Sequence, residues 1–199
     1  MNVKLIAITQ PINPTWNQES IIEYSARTCY NSQDKIHTND RFVDSIVNRG
    51  HLSTVEHLSF TFEISGITRA CANQLVRHRL ASYSQASTRY CDMSKQNIIE
   101  PDTIKNHPYC HVLWIATDRL LKRVYKMFLR HGIKKEDARG ILPLNLETRL
   151  IASFNARELM HVIELRTSNK AQQEIRDVVL EMDRIAKQYA PSVFGRNTK

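Results

Sequence analysis

A short run of the chain concentrates side chains that can bind an anion. Residues 77–90 contain three arginines, one histidine and four serine or threonine hydroxyls, with no acidic residue among them. A guanidinium keeps its charge at any ordinary pH and can hold two phosphate oxygens at once. Clustered arginines without carboxylate partners repel one another unless an anion lies among them. The run therefore predicts a phosphate-binding segment, with a solvated basic loop as the alternative.

Any nucleotide phosphate must be held by side chains rather than by a glycine-rich loop. The five glycines show neither G-x-G-x-x-G nor P-loop spacing. Arginines also occur outside the run, at Arg139, Arg149, Arg157 and Arg166.

A later segment, residues 155–161, also contains an arginine and a histidine, and these two are spaced as on one face of a helix. Arg157 and His161 are four residues apart, on one face of a predicted helix. Arg166 lies about half a helical circumference away, so either it contacts a different ligand or the helix ends before it. For Arg157 the alternative is a simple ion pair with a nearby acid.

The charge balance indicates an anionic partner without identifying it. The formal net charge is +8, which fits nucleic acid, a nucleotide or an acidic protein. The arginines are embedded among apolar residues rather than in a lysine-rich stripe, which favours a pocket. A single-strand nucleic-acid-binding protein that uses Tyr83 and Tyr90 for stacking is the rival interpretation.

Cysteine and histidine spacing gives no support for a metal site. Cys29, Cys71, Cys91 and Cys110 form no C-x-x-C pair, and we expect buried, unreactive thiols in a reducing compartment. His107 and His111 are four apart, but the sequence offers no carboxylate that completes a ligand set. We therefore predict no metal.

Strands and helices are mixed without regular β-α-β alternation, which predicts an α+β fold. Strands are predicted at 3–9, 58–65 and 148–154, and helices at 18–30, 40–49, 67–76, 108–131, 155–165 and 171–189. We expect mixed helices and an antiparallel-rich central sheet with a helical lobe, in a single domain over residues 1–199 that assembles as an oligomer.

Two helices carry apolar stripes that predict their buried faces. The stripe of helix 108–131 consists of Leu113, Ala116, Leu120, Leu121, Val124 and Phe128, and that of helix 171–189 of Ile175, Val178, Val179, Met182, Ile185 and Ala186. No stretch approaches the length of a membrane span, and residues 1–9 are too short and too polar for a secretory signal. We expect a cytoplasmic protein without membrane contact.

The arginine run also resembles the signature of flavin-dependent thymidylate synthases. Arg77-His78-Arg79, seven residues and then Ser87 match the family's RHR-x7-S motif, and the match continues through Arg89 and Tyr90. Four more segments resemble the family in order: His51-x-Ser53-x-x-Glu56-His57; Ala138-Arg139-x-x-Leu142-Pro143 with Thr148; Asn155-Ala156-Arg157-x-Leu159-x-His161; and Leu165-Arg166 followed by Ala171-Gln172-x-Glu174-Ile175. The resemblance covers roughly residues 50–190.

The resemblance implies a reductive methylation of dUMP to dTMP. In this family methylenetetrahydrofolate donates the carbon, and FAD carries a hydride supplied by NADPH. The family forms homotetramers whose active sites are built from several subunits, and it needs no nucleophilic cysteine because the cofactor performs the difficult step. A member that binds flavin and nucleotide but performs other redox chemistry is an alternative. No nucleic-acid partner is implied.

The resemblance also implies roles for individual residues. The implied dUMP contacts are Gln74, Arg77, Gln85, Ala86, Ser87, Thr88, Arg89, Arg139 and Arg166, with Arg139 at the phosphate. The implied FAD contacts are Ser53, Arg77, His78, Arg79, Gln85, Asn155, Arg157 and His161. Arg166 is the implied catalytic residue, because a cation beside N3 stabilises the ionised uracil and makes C5 a better nucleophile.

Three positions depart from one common form of the family pattern. Gln85 stands where some members have glutamate, Thr88 where many have glycine, and Lys170 where some have histidine. None of these differences removes a charge that the implied chemistry needs.

Overall fold

The computed structural model describes residues 1–38 and 41–195. Its strands are β1 (Asn2–Ile8), β2 (Ser59–Thr68), β3 (Ala81–Gln85) and β4 (Glu147–Asn155). Its α-helices are α1 (Gln18–Thr28), α2 (Phe42–Asn48), α3 (Arg69–Leu75), α4 (Asp102–Lys105), α5 (Pro108–Arg130), α6 (Lys135–Ala138), α7 (Ala156–Arg166), α8 (Gln173–Tyr189) and α9 (Pro191–Phe194). Short 3-10 turns span Gln33–Lys35, Leu52–His57 and Arg139–Ile141. The start of the helix predicted from residue 40 lies outside the described residues.

The four strands form an antiparallel sheet in the order β1-β2-β4-β3. The end of β1 pairs with the start of β2, where the Thr9 amide donates to the Ser59 carbonyl at 2.9 Å. Beyond the end of β3, the Ala86 amide donates to the carbonyl of Arg149 on β4 at 3.0 Å. The α+β fold and the antiparallel sheet are confirmed.

Strand β3 lies inside the arginine run, where no strand was predicted. Its five residues, Ala-Ser-Tyr-Ser-Gln, place the two serines at exposed positions, and of the half-buried residues only Ala81 and Tyr83 are not strongly polar, so the alternation is too short to predict a strand. It occupies the edge of the sheet. Backbone pairing with β4 therefore forms a strand that the side-chain pattern does not indicate.

The chain groups into two compact units. The first contains residues 1–64, 74–84 and 151–199, and the second contains residues 65–73 and 85–150. The single domain expected from sequence stays a prediction.

The core of the first unit is aromatic and aliphatic. Phe60 and Phe62 are fully buried on β2, with ring centroids 6.2 Å apart, as the period-two alternation of this strand predicts. The ring of Phe194 on α9 meets Phe60 edge-on at 5.6 Å. The predicted inward stripe of α8 is buried throughout.

The second unit has a smaller core, and the prediction for α5 is only partly right. Tyr125 is fully buried with Met93 and Leu146, and its hydroxyl accepts from the Met93 amide at 3.3 Å. However, Leu113 and Leu120 of the predicted stripe are exposed. Only the C-terminal half of α5 packs on this cluster, so the stripe is longer than the core that it contacts.

The C-terminus of α5 shows why a glycine follows it. Gly132 has φ +79°, a left-handed conformation that an L residue adopts only with strain. Its amide donates to Leu129, and the Ile133 amide donates to Phe128. These two bonds satisfy carbonyls that the helix end leaves free.

The cysteine and histidine expectations need correction. Cys71 is buried, but Cys29 and Cys91 are exposed because they lie just beyond α1 and in the turn after β3, not on buried faces. The ring of His111 contacts the Glu100 carboxylate at 2.9 Å, an acid that the spacing did not suggest.

Among the described residues, no group of three or more His, Cys, Asp or Glu side chains is arranged to hold a metal ion. In the same part of the chain, no helix has the length and apolar character needed to cross a bilayer.

Candidate functional site

The Arg77-His78-Arg79 segment forms the turn between α3 and β3. The Tyr83 hydroxyl fixes this turn by contacting the Leu75 carbonyl at 2.9 Å and the His78 carbonyl at 3.0 Å. The first of these is an end carbonyl of α3, which has no partner within the helix. Arg77 and Arg79 are exposed, and neither guanidinium has a hydrogen-bond or ion-pair partner among residues 1–38 and 41–195.

His78 is buried and neutral. Its exposed fraction is 6%, and its ring meets that of His161 edge-on at a centroid distance of 6.0 Å. Burial, then the positive charge of Arg166 and the neighbouring ring of His161, lower the pKa of His78 to about 4. Arg166 Nε donates to His78 Nε2 at 3.0 Å. Because that nitrogen accepts, the ring proton must be on Nδ1.

Arg166 is the last residue of α7, so the helix does not end before it. Its second anchor is the Gln74 carbonyl, which accepts from Nη2 at 3.1 Å. Its charge also complements the negative end of the helix dipole. Two fixed partners hold the plane of this guanidinium, and Nη1 has no hydrogen-bond partner within the described chain.

The start of α7 positions the predicted flavin residues. The Asn155 side chain caps the helix by accepting from the Glu158 amide at 2.8 Å. Arg157, one turn before His161, forms an ion pair with Glu56 of the Leu52–His57 turn. Ser53 is exposed on the same turn. The pairing alternative for Arg157 thus holds in this structure, although an exposed pair of this kind is weak and can be replaced by a ligand.

A cavity of about 840 Å³ opens beside these residues. Arg157 and His161 line it together with Glu164, Asp183 and Phe194. Its volume is typical of sites for small molecules and cofactors. The Arg157 guanidinium and the His161 imidazole suit the diphosphate of a flavin nucleotide, so these two side chains fit that cofactor, whereas the ring of Phe194 is largely buried against Phe60.

The remaining predicted dUMP residues lie in the second unit. The Gln85 amide donates to the Thr148 hydroxyl at 3.3 Å, while Ala86 and Ser87 are half-buried. Arg139 Nη1 donates to the Thr88 hydroxyl at 3.2 Å. Glycine at position 88 could not make this contact, so the departure from the family pattern gives Arg139 an anchor.

Glu136 of α6 restrains both exposed cations of this group, one through its carboxylate and one through its backbone carbonyl. Arg89 is paired with Glu136, and the Glu136 carbonyl accepts from Arg139 Nε at 3.1 Å. Both arginines are therefore held by α6.

Arg69 is a cation of the same unit that the sequence interpretation missed. Its Nη1 donates to the Ala86 carbonyl at 3.3 Å. Burial, and then the charge of Arg139, lower its pKa from the usual arginine value. Two guanidinium groups close enough to repel each other favour an anion between them. The only signal in the sequence is an arginine directly after a buried strand.

The contacts of three acidic side chains were also missed, although Glu56 belongs to a segment that resembles the family. Glu56 and Glu136 hold Arg157 and Arg89, and the buried Glu158 faces His78, with Oε1 3.8 Å from Nδ1. The sequence places Glu158 beside Arg157, but neither its burial nor its contact with residue 78 can be read from that spacing.

The predicted site residues thus fall into two groups. The first unit contains Ser53, Gln74, Arg77, His78, Arg79, Asn155, Arg157, His161 and Arg166; the second contains Gln85, Ala86, Ser87, Thr88, Arg89 and Arg139. The stacking residues of the rival interpretation differ in exposure. Tyr83 packs edge-on against Phe154 at 5.9 Å and is not an open platform, whereas Tyr90 is exposed.

Comparison with known proteins gives a consistent result. The family model described as thymidylate synthase complementing protein matches residues 12–192. A flavin-dependent thymidylate synthase of Geobacter sulfurreducens is 38% identical, over 90% of this chain and 82% of that protein. Proteins of the same name from Pyrococcus furiosus and Mycobacteroides abscessus are 36% and 34% identical, over 92% and 98% of this chain and 77% and 89% of their own lengths. Similarity of this extent shows that the chain belongs to the flavin-dependent thymidylate synthase family.

Proposed function

We propose that this enzyme converts dUMP to dTMP by reductive methylation, with methylenetetrahydrofolate as carbon donor and FAD and NADPH as the reducing system. Beyond family membership, the observation that best supports the proposal is the fixed guanidinium of Arg166. His78 and the Gln74 carbonyl hold it, and no acid neutralises it within the described residues.

Arg166 has the properties required of a group that favours ionised N3 of the uracil. Its partner His78 is neutral, so the positive charge of Arg166 is not shared with a second cation at neutral pH. A cation that is already fixed in place stabilises the developing negative charge, and no free energy is needed to reorient it during the reaction. The ionised ring is the better carbon nucleophile at C5.

FAD, when bound, supplies the hydride that turns the transferred methylene carbon into a methyl group. Asn155, Arg157 and His161 on α7, Ser53 on the neighbouring turn, the Arg77-His78-Arg79 segment and Gln85 are proposed to hold it. Replacing Glu56 by a phosphate as the partner of Arg157 exchanges one charge-assisted contact for another.

The nucleotide phosphate is proposed to bind at Arg139, with Ser87, Thr88 and Arg89. A phosphate monoester carries about 1.5 to 2 negative charges at neutral pH. Burial, and then repulsion by the charge of Arg139, lower the pKa of Arg69, and such an anion would offset that repulsion. Gln74, Arg77, Gln85 and Ala86 complete the proposed dUMP contacts.

Assembly as a homotetramer with shared active sites, in the cytoplasm, is part of the proposal. Several large apolar side chains of one helix, α5, are exposed, among them Val112, Leu113 and Leu120. They support an assembly because a subunit interface would remove them from water. Size-exclusion chromatography with light scattering checks the stoichiometry.

The first experiment combines spectroscopy with one substitution. Purified protein should bind FAD, show a flavin absorption spectrum and oxidise NADPH faster when dUMP is present. Arg166→Ala should lower turnover by about 100-fold and leave the flavin spectrum in place, whereas Arg184→Ala, on an exposed face of α8, should match wild type. Protein that cannot be reconstituted with FAD, or full activity of Arg166→Ala, would contradict the proposal.

A second experiment addresses the nucleic-acid interpretation. Gel-shift measurements at moderate salt should show no tight binding to single strands. Tight binding with a steep salt dependence would favour the rival function.

A further inference from the structure

Glu158 is a buried carboxylate that has no role in the site as described so far. It lies in the first turn of α7, and only 6% of the residue is exposed. A buried carboxylate is costly unless a nearby group interacts with its charge. The side chain faces His78 Nδ1 at 3.8 Å.

We propose that Glu158 is a positioning residue for Arg166 and that it acts through His78. This inference rests on the role of Arg166 given under the proposed function. His78 Nε2 accepts from Arg166, so the ring hydrogen is on Nδ1, the ring nitrogen that lies 3.8 Å from the Glu158 carboxylate. At 3.8 Å the contact is too long for a direct hydrogen bond, and the interaction is an attraction between a charge and a dipole.

The groups around His78 determine which tautomer of its ring can accept the hydrogen bond from Arg166. The titratable and charged groups that face the ring are Glu158, His161 and Arg166 from α7, together with the Tyr83 hydroxyl, which contacts the His78 carbonyl. Among these, Glu158 is the acid. In the other tautomer, Nε2–H would face Arg166 Nε–H, and two donors would oppose each other.

Loss of the Glu158 charge therefore weakens the preference for the productive tautomer, which then depends on the Arg166 contact alone. Arg166 would keep the Gln74 carbonyl but be held less firmly by His78, and its guanidinium would be less well fixed in one plane. The rate of the chemical step should fall, while flavin binding at Arg157 and His161 should not change.

The test compares Glu158→Gln with Glu181→Gln. Glu181 lies on α8, away from these residues, where it pairs with Arg184. Glu158→Gln should lower kcat by about tenfold, the lower end of the cost of removing an outer partner of a metal-bound histidine, with a smaller change in KM for dUMP and an unchanged FAD content. Glu181→Gln should retain the wild-type kcat, and Glu158→Asp should recover part of the lost rate.

A double-mutant cycle separates positioning from general destabilisation. In a His78→Ala background, Glu158→Gln should change kcat by less than about twofold. Equal effects of Glu158→Gln in both backgrounds would overturn the proposal, as would a wild-type kcat in the single variant.

Nitrogen-15 spectra of the histidine rings provide a measurement that does not depend on folding of a variant. Wild-type enzyme should show His78 as the neutral Nδ1–H tautomer, and an Nε2–H tautomer would overturn the inference. If wild-type enzyme forms no dTMP, the proposed function fails, and the ring spectrum still tests this contact on its own. If Glu158→Gln does not fold, the ring spectrum and Glu158→Asp decide the question.

Discussion

The burial of His78 makes a quantitative prediction for the stability of the protein at low pH. Burial, then the positive charge of Arg166 and the neighbouring ring of His161, lower the pKa of the His78 ring from 6.5 to about 4. In the folded chain the ring therefore takes up its proton at a lower pH than in the unfolded chain. Its contribution to stability is complete above pH 6.5 and is lost as the pH falls towards 4.

The size of the effect follows from the two pKa values. With 1.36 kcal/mol per pKa unit, the loss in free energy of unfolding is about 1 kcal/mol at pH 6, about 2 kcal/mol at pH 5 and about 3 kcal/mol below pH 4. A change of about 2 kcal/mol is a large part of the stability of a typical domain.

The assay is urea denaturation of the wild type and His78→Gln between pH 7.5 and pH 5. Protein and flavin concentrations are fixed, because ligand binding and assembly shift apparent stability. The difference in free energy of unfolding between the two proteins isolates residue 78 from other titrating groups. His131→Gln, at an exposed position beyond α5, controls for effects of the substitution itself at each pH.

The expected result is that the stability advantage of wild type over His78→Gln shrinks by about 2 kcal/mol between pH 7.5 and pH 5. A difference that stays constant within about 0.5 kcal/mol over this range would show that the ring protonates as readily in the folded chain as in the unfolded chain. The burial of His78 and its role as acceptor for Arg166 would then both be wrong.

Three further substitutions test separate parts of the site. Asn155→Ala should lower the free energy of unfolding by about 1 kcal/mol through loss of the α7 cap, and Asn155→Asp should retain it; equal loss in both variants, measured by denaturation, would exclude capping as the cause. Arg69→Ala should weaken dUMP binding by about tenfold in calorimetric titrations and leave deoxyuridine binding unchanged, whereas equal losses for both ligands would contradict a role at the phosphate. Tyr83→Phe should cost about 1 to 3 kcal/mol, because the Leu75 and His78 carbonyls lose their hydroxyl donor; thermal unfolding unchanged from wild type would refute that role.

Apolar periodicity predicted the elements that face a core on one side. Strand β2 alternates buried and half-buried residues as its sequence pattern indicates, and α8 buries its whole predicted stripe. In both elements the spacing of apolar residues matches the geometry of the backbone, so the buried face can be read directly.

The sequence predictions failed for two elements, β3 and α5, because the structure of each depends on contacts with other parts of the chain. Strand β3 exists because β4 pairs with its backbone, which its Ser-Tyr-Ser sequence does not reveal. The stripe of α5 has the spacing of a buried face, but Leu113 and Leu120 are about half exposed. The spacing of apolar residues predicts which face of a helix is apolar, but it does not predict whether another part of the protein packs against that face.

The same limit applies to the candidate site. Motif spacing identified Arg166 and His78, but not that one donates to the other across 88 residues of sequence. Arg69 and Glu158 were missed because their importance comes from the burial and charge of neighbours that only the fold brings close. Residue type and spacing thus identify groups able to do the chemistry, and tertiary contacts identify the groups that hold them.

The most direct test of the proposed function is the stoichiometry of product formation. Wild-type enzyme loaded with FAD is mixed with dUMP, methylenetetrahydrofolate and NADPH, and the nucleotides are analysed by mass spectrometry while NADPH oxidation is followed. Because a methylene group becomes a methyl group by gaining one hydride, we expect one dTMP for each NADPH oxidised. Oxidation of NADPH without dTMP, by protein that carries bound flavin, would contradict the proposed reaction and assign this chain to other redox chemistry.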